Sequence, residues 1–261
     1  MEPEPLYVYK NYIVVVNPID DSPLLWVDND FTKANWPNPG HQAKQKKNSL
    51  HYVIKKNKNV IDTGAHIGDY GICLACALRN LNLNHIIVYC IEPTIEKCNF
   101  MKEICKLNNI EKNVKIICTG LSNKIGYYSV KKIQKDLWNT NTGGWQWTPD
   151  NEGILFTTLD NLWNMNIIEN IGFCWLDCQW MEHEVLEGGF KMLQHYKPYI
   201  LMEYWNYKKA SDNIHIDLST ISEGTLEDLY NDESYMKIIN KLGLQVVNTN
   251  GIFNDFLLEF K

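Results

Sequence analysis

From Asn59 onward, short apolar runs rich in β-formers alternate with segments of helical period. The apolar runs at 60–62, 86–92, 114–119, 171–177, 199–204, 244–248 and 255–260 read as strands. Between them, 69–80, 95–107, 159–163, 182–195 and 225–242 carry helical spacing, with Ser222 or Gly224 opening the last helix and Gly243 closing it. This alternation implies βαβ units around a mostly parallel sheet, an α/β fold with helices on both faces. The final two strands are joined by 249–254 alone, too few residues for a helical crossover, so an antiparallel hairpin turning at Asn250-Gly251 is expected.

Before Asn59 the rhythm differs. Residues 7–16 look like a short two-stranded element, and 18–40 is a stretch bearing proline and tryptophan. Residues 1–50 therefore read as an N-terminal cap on a main domain at 51–261. The polar segment 131–153 runs through Asn139-Thr140-Asn141-Thr142-Gly143-Gly144 into Trp145-Gln146-Trp147. It is long for a plain connection and is expected to cover a site or lack order.

At 261 residues the chain has room for one large α/β domain, and 45% apolar residues suffice for a substantial core. A net charge of −6 argues against binding nucleic acid through a basic face, although Lys44, Lys46 and Lys47 form a local basic strip. No apolar run is long enough for a membrane span, and the start Met1-Glu2-Pro3-Glu4-Pro5 is unlike a signal peptide. A soluble, cytoplasmic protein is expected. Of the eight cysteines, Cys73 and Cys76 form a C-x-x-C with no second pair at zinc spacing, so reduced, packed thiols and no metal site are expected. The abundance of Asn, Lys and Ile suggests an AT-rich genome, a virus or parasite, in which case the setting is a host cytoplasm.

The sharpest local signal is Val60-Ile61-Asp62-Thr63-Gly64-Ala65-His66-Ile67-Gly68, an apolar strand leading through two glycines to a helix. Glycines there let the backbone approach a ligand and accept a turn that strains other residues. A dinucleotide fingerprint would be G-x-G-x-x-G, whereas the pattern here is D-x-G-x-x-x-G. An acid before the first glycine repels phosphate and suits an ammonium or sulfonium ligand such as S-adenosylmethionine. A tight turn without a ligand is the alternative. Glu92 ends the next strand, where a carboxylate can accept both ribose hydroxyls, a logic shared with NAD enzymes.

These residues, with Glu92-Pro93, Leu121-Ser122, Thr158-Leu159-Asp160, Leu176-Asp177, Met181-Glu182-His183-Glu184-Val185-Leu186-Glu187-Gly188 and Ile200-Leu201-Met202-Glu203, resemble the FkbM-type class I methyltransferases over about 59–205. The resemblance implies a Rossmann-like, seven-stranded sheet whose last strand is antiparallel, S-adenosylmethionine as cofactor, and methylation of a hydroxyl. It implies a cofactor site at Asp62, Gly64, Ala65, His66, Gly68, Glu92, Pro93, Gly120, Leu121 and Asp177. Two positions depart from it: Trp175 stands where the family usually has lysine, and Trp180 where it usually has glycine. Trp180 either stacks on a sugar or fills volume.

Methyl transfer is an in-line displacement that needs an aligned acceptor and often a base. Asp177, at the carboxyl end of the fourth strand, is the first candidate for base or orienting group, followed by Glu182, Glu203 and His183. Glu182 could instead favour a helix N-terminus, and His183 could be an exposed helix residue. His66 reads as a cofactor-loop residue. Trp26, Trp36, Trp145 and Trp147 invite either a carbohydrate reading or core packing. Asp160 reads as a helix anchor, and Glu223, Glu227, Asp228, Asp232 and Glu233 as a solvated face. The function expected is S-adenosylmethionine-dependent O-methylation of a sugar or glycan hydroxyl. The rivals are an NAD-linked nucleotide-sugar oxidoreductase and a degenerate binding module.

Overall fold

The structure is a computed structural model that describes residues 12–27, 42–130, 147–209, 216–247 and 255–261. Five parallel strands, β3 (Asn59–Thr63), β4 (Val88–Glu92), β5 (Val114–Cys118), β10 (Ile171–Leu176) and β11 (Tyr199–Glu203), make up all but two strands of a seven-stranded sheet, with β5 at one edge. The last strand, β15 (Asp255–Phe260), inserts between β11 and β14 (Leu244–Val247) and runs antiparallel to both, so the order is β14-β15-β11-β10-β3-β4-β5. The expected antiparallel last strand is present, and its turn at Asn250-Gly251 lies outside the described residues.

Every residue of β3, β4, β10 and β11 is buried, because both faces of a parallel sheet are covered. Alternation along the strands divides the core in two. Val60, Phe173, Trp175, Leu201 and Leu257 join the cluster under α1 (Ala43–Lys56), α2 (Gly71–Asn80) and α3 (Ile95–Leu107). Ile61, Cys174, Leu176, Ile200, Met202 and Leu258 face α4 (Leu159–Asn164), α5 (Glu182–Gly188), α6 (Phe190–Tyr196) and α8 (Glu233–Leu242).

Two expected helices are each divided. The helix expected over 182–195 breaks at Gly189, where Asp160 accepts hydrogen bonds from the Lys191 and Met192 N–H groups at 3.1 and 2.8 Å and so anchors the start of α6. The helix expected over 225–242 breaks at Asp232, whose backbone is extended and whose carboxylate caps the Ser234 and Tyr235 N–H groups. Its first piece, α7 (Leu226–Asn231), opens with a reciprocal capping box between Thr225 and Asp228. Asp228 and Asp232 are therefore helix caps rather than parts of a solvated face, while Glu227 and Glu233 are exposed.

Several elements were not expected. A four-stranded sheet of β6 (Gly120–Leu121), β7 (Gly126–Val130), β8 (Trp147–Asp150) and β9 (Ile154–Thr157) follows β5, and β8 occupies part of the expected loop 131–153. An antiparallel ribbon, β12 (Trp205–Lys209) with β13 (Ile216–Glu223), follows β11. In the N-terminal part β1 (Tyr12–Val16) pairs with β2 (Pro23–Val27), while residues 7–11 of the expected two-stranded element lie outside the described ones. Helix α1 runs across position 50. Lys46, read as part of a basic strip, is buried on α1 beside Asp69, 2.5 Å from its Oδ2. Trp26 is 0% exposed and packs toward Phe100, so its indole is a core group and not a sugar platform.

All eight cysteines are free, six of them buried. Among the described residues no cluster of His, Cys, Asp or Glu is placed to hold a metal, and no helix is long and apolar enough to cross a membrane. Asp160→Ala should lower stability by about 1 to 2 kcal/mol, the scale of a lost helix N-cap. Cofactor affinity should be nearly unchanged in calorimetry, and a large loss of affinity would contradict a purely anchoring role.

Candidate active site

The chain leaves β3 at Thr63 and turns through Gly64 and Gly68, at φ +68° and +85°, before entering α2. Glycine is required at 64 on two counts. Its backbone is left-handed, and a Cβ would lie 1.9 Å from the carbonyl oxygen of Asp177. The Asp177 N–H in turn reaches the Thr63 carbonyl at 3.3 Å, so the β3 turn and the end of β10 touch through backbone. His66 occupies a left-handed conformation too, at φ +50°. Burial, with Lys97 nearby, lowers its pKa to about 3 and keeps the imidazole neutral.

Asp62 is 2% exposed, and its Oδ2 accepts the Gly71 N–H at 2.9 Å. A Cβ on Gly71 would sit 2.6 Å from that oxygen, so the glycine allows the carboxyl to fit beneath the N-terminus of α2. Burial, with Asp69 close by, pushes the Asp62 carboxyl well above its ordinary pKa. Asp62 thus organises the turn from behind.

Glu92 ends β4 and links two loops. Its Oε2 accepts the His66 N–H at 3.1 Å, its Oε1 accepts the Thr94 N–H at 3.0 Å, and Lys97 Nζ stands 3.9 Å away. Ala65 is held by its N–H to the Ile91 carbonyl at 3.1 Å, beside Glu92-Pro93. Gly120 and Leu121 pair with β9, and a Cβ on Gly120 would strike the Phe156 ring at 2.2 Å.

Acidic groups converge at the same end of the sheet. Asp177 is half-buried and accepts a hydrogen bond from Gln179 Nε2 at 3.1 Å. Glu203 ends β11 directly opposite Asp255 on β15. They are 5% and 1% exposed. Burial and the charge of Asp177 raise the Glu203 carboxyl well above its usual range and Asp255 to about 7. Asp255 was not among the expected site residues. Its signal in the sequence is an acid opening the otherwise buried run Asp255-Phe256-Leu257-Leu258.

Glu182 is closed in by protein groups. Oε1 accepts the Cys178 N–H at 2.7 Å, and Oε2 is 2.9 Å from the Tyr235 hydroxyl. Burial raises its pKa to about 7. His183 is half-buried, with its ring centroid 5.1 Å from that of Tyr235.

Trp175 stacks on Tyr70 with centroids 4.1 Å apart, inside the core. Gln179 and Trp180 are consecutive left-handed residues, at φ +52° and +72°. A glycine at 180 would relieve that geometry, which costs a side chain about 1 to 2 kcal/mol. Trp180 bears it while 9% exposed. Trp147 is half-buried and tilted against Phe156 at 5.2 Å, while Trp36 and Trp145 lie outside the described residues.

The profile of the Methyltransferase FkbM domain matches residues 62–224, from the turn-organising acid to the end of the ribbon. No curated protein matches the sequence. Among solved structures, a putative O-methyltransferase from Klebsiella pneumoniae is similar in fold, with TM-score 0.50, 12% identity, and 89% of this chain and 90% of that one covered. An FkbM methyltransferase from Methylobacillus flagellatus KT gives TM-score 0.44 at 12% identity, covering 89% of this chain and 56% of that one. M. jannaschii TYW2, solved in complex with AdoMet, gives 0.48 at 14%, covering 98% and 90%. The glycine turn and strand-end Glu92 fit S-adenosylmethionine as the cofactor: the turn excludes a Cβ at 64, and each Glu92 oxygen that accepts a backbone N–H retains a lone pair for a hydroxyl. The match spans well over half of the chain, and with the seven-stranded sheet and its turn it shows that this protein belongs to the FkbM family of S-adenosylmethionine-dependent methyltransferases.

Proposed function

We propose that the chain transfers a methyl group to a hydroxyl of a sugar or glycan, with Asp177 as the group that orients and deprotonates the acceptor. The observation that carries this reading is the backbone contact between the glycine turn and Asp177, which sets a half-buried carboxylate beside the cofactor turn. S-adenosylmethionine, when bound, supplies an electrophilic methyl on a sulfonium. In this reading Gly64, Ala65, His66 and Gly68 form the cofactor's backbone cradle, and Glu92, flanked by Pro93, receives the ribose hydroxyls. Asp62 supports the cradle from behind, and Gly120 and Leu121 border it. Asp177 takes the proton that the acceptor hydroxyl loses as its oxygen forms the new bond to carbon. Glu203 sits next to Asp177, whose charge helps to raise the Glu203 carboxyl, Glu182 fixes the loop that carries Asp177, and His183 holds α5 against Tyr235.

A hydroxyl acceptor suits a site of carboxyls, which accept and, when protonated, donate hydrogen bonds. The aromatic part of the sugar reading loses Trp26 to the core and finds Trp147 packed on Phe156. A small acceptor rather than nucleic acid accords with the net charge of −6, and a cytoplasmic setting belongs to the same reading. An NAD-linked oxidoreductase has no support left, because the glycine spacing differs and the family is one of methyltransferases. The degenerate-module reading rested on Trp175 and Trp180, and the first of these is a core residue stacked on Tyr70.

Three variants test the assignments. Glu92→Ala should weaken S-adenosylmethionine binding by about 1 to 3 kcal/mol in calorimetry, the scale of lost charge-assisted hydrogen bonds. Unchanged affinity removes Glu92 from the site. Asp177→Asn should keep cofactor binding while single-turnover methyl transfer to a confirmed glycoside acceptor falls by about 10² to 10⁴. Wild-type rates would refute the base.

Glu182→Gln is the third, and its readout is pH. The folded-state pKa of Glu182 is raised from 4.5 to about 7, so the folded protein holds a proton that the unfolded chain releases between those values. The resulting stabilisation is complete below pH 4.5 and disappears as pH rises through 7. Relative to wild type, Glu182→Gln should therefore flatten the fall in melting temperature between pH 5 and 8. An identical pH dependence in both proteins would show that Glu182 titrates normally.

A further inference from the structure

Three polar contacts tie the N-terminal part of the chain to residues 69–73, which follow the second glycine of the turn. Lys46 Nζ on α1 lies 2.5 Å from Asp69 Oδ2, and the Ser49 hydroxyl, one helical turn further on, stands 3.0 Å from the Tyr70 hydroxyl. Asn17 Nδ2 donates to the Cys73 carbonyl at 2.9 Å. Ser49 also donates to the Lys46 carbonyl at 2.7 Å, which joins the two contacts made by α1. Asn17, Lys46 and Ser49 are all buried. From the opposite side Asp62 accepts the Gly71 N–H at 2.9 Å, so the stretch between Gly68 and α2 is gripped between the sheet and α1. Covering the sheet does not require such groups, because an apolar helix face would do so without dehydrating an ammonium. Burial opposes the charge on Lys46, yet Asp69 outweighs it and raises the pKa of Lys46, so the ion pair persists at neutral pH.

We propose that Lys46, supported by Ser49, is a positioning residue for the cofactor: α1 clamps Asp69 and Tyr70 and thereby holds the glycine turn in the shape that receives S-adenosylmethionine. This inference rests on the reading of the turn as the cofactor's cradle and extends it to residues outside the stretch 62–224 that matches the family profile. The turn needs an external tether for a physical reason. Gly64 and Gly68 allow its left-handed backbone, but they bring no side chain to pack and have the most conformational freedom to lose. A ligand that must order a loose turn binds more weakly than one that meets the turn already formed. Buried ion pairs add little stability over apolar packing, and fixing a single geometry is a use they serve in some proteins. Asp69, the residue directly after Gly68, is where such a fixing has most effect on the turn. Its carboxylate is partly exposed while the Lys46 side chain is buried, so the lysine is the anchored end of the pair.

The test uses the full chain and the double variant Lys46→Met/Asp69→Asn, which removes both charges and strands neither. S-adenosylmethionine affinity is measured by calorimetry well below the melting temperature of every variant, so that only folded protein is read. The double variant should bind the cofactor about tenfold more weakly, and hydrogen exchange over 64–72 in the unliganded protein should quicken. Val53→Ala is the control for packing alone: Val53 is buried on the same helix one turn beyond Ser49, and its truncation should lower the melting temperature while leaving affinity within about twofold. The proposal falls if the double variant binds within twofold of wild type, if exchange over 64–72 is unchanged, or if Val53→Ala loses as much affinity as the double variant. Should the double variant fail to fold, Ser49→Ala carries the same test through the Tyr70 contact, with about a threefold loss expected and an unchanged affinity overturning the clamp. Glu92→Ala in the same assay separates this inference from the reading it rests on. A weakened Glu92→Ala beside an unchanged double variant refutes the clamp alone. An unchanged Glu92→Ala beside a weakened double variant removes Glu92 from the site and leaves the clamp in place, and a wild type that binds no S-adenosylmethionine overturns both.

Discussion

The contact between the Gly64 backbone and the Asp177 carbonyl oxygen is the constraint around which the site is arranged. It joins the first turn of the parallel sheet to the end of its fourth strand at a distance no side chain could share. Strands β3 and β10 are neighbours in parallel register, Leu176 opposite Thr63, so the residues that follow them emerge side by side. One of those residues starts the glycine turn and the other is the half-buried carboxylate. Enlarging Gly64 would force the two apart, and with them the glycine turn and Asp177. The requirement is steric as well as conformational, and these two reasons act independently at the same position.

A second constraint is electrostatic. Asp62, Glu92, Glu182, Glu203 and Asp255 are all buried in or around one end of the sheet, where an uncompensated carboxylate is costly. The fold answers most of them locally. A helix N–H receives Asp62, two loop N–H groups receive Glu92, and a loop N–H with a tyrosine hydroxyl receives Glu182. Glu203 and Asp255 have no such set of N–H donors among the described residues, and burial with the charge of Asp177 raises both carboxyls. The pattern divides the acids into those held by loop and helix N–H groups and the pair Glu203 and Asp255, which stand opposite one another on β11 and β15. Asp62, which reads in the sequence as a sulfonium contact, also places one carboxyl oxygen beneath the start of α2.

What the sequence made legible follows from how local each signal is. The central strands could be read because burial on both faces leaves continuous apolar runs such as Ile171-Gly172-Phe173-Cys174-Trp175-Leu176. The glycine turn, Glu92 and Asp177 could be read because strand ends and helix starts mark them. The breaks at Gly189 and Asp232 were hidden, since the helical period continues across them and the cause lies elsewhere: in Asp160, thirty residues upstream, for the first, and in a side chain capping its own backbone for the second. Helix α1 was missed because the first half of Ala43–Lys56 is almost wholly polar, and it buries Gln45, Lys46 and Ser49 beside the single apolar Val53. Asp255 reaches the site by tertiary packing from the far end of the chain, which no spacing within a motif can report.

The two tryptophans that depart from the family pattern have different explanations. Trp175 alternates with Leu176 on β10, so its side chain enters the cluster beneath α1 and α2, where it stacks on Tyr70, and Tyr70 in turn lies 3.0 Å from the Ser49 hydroxyl of α1. A lysine there would need a partner in that layer, and the layer already contains one buried lysine, Lys46, paired with Asp69. The indole thus belongs with a chain in which the cation near this end of the sheet comes from α1. Trp180 is a different case, because its φ of +72° is the geometry for which a glycine is the least strained choice. Its large apolar surface, almost wholly buried, offsets a backbone cost of about 1 to 2 kcal/mol, since burying a side chain of that size is favourable by a comparable or larger amount. The loop between Asp177 and Glu182 is therefore held by packing at Trp180 and by the Glu182 carboxyl at Cys178, two independent fastenings that fix the position of Asp177.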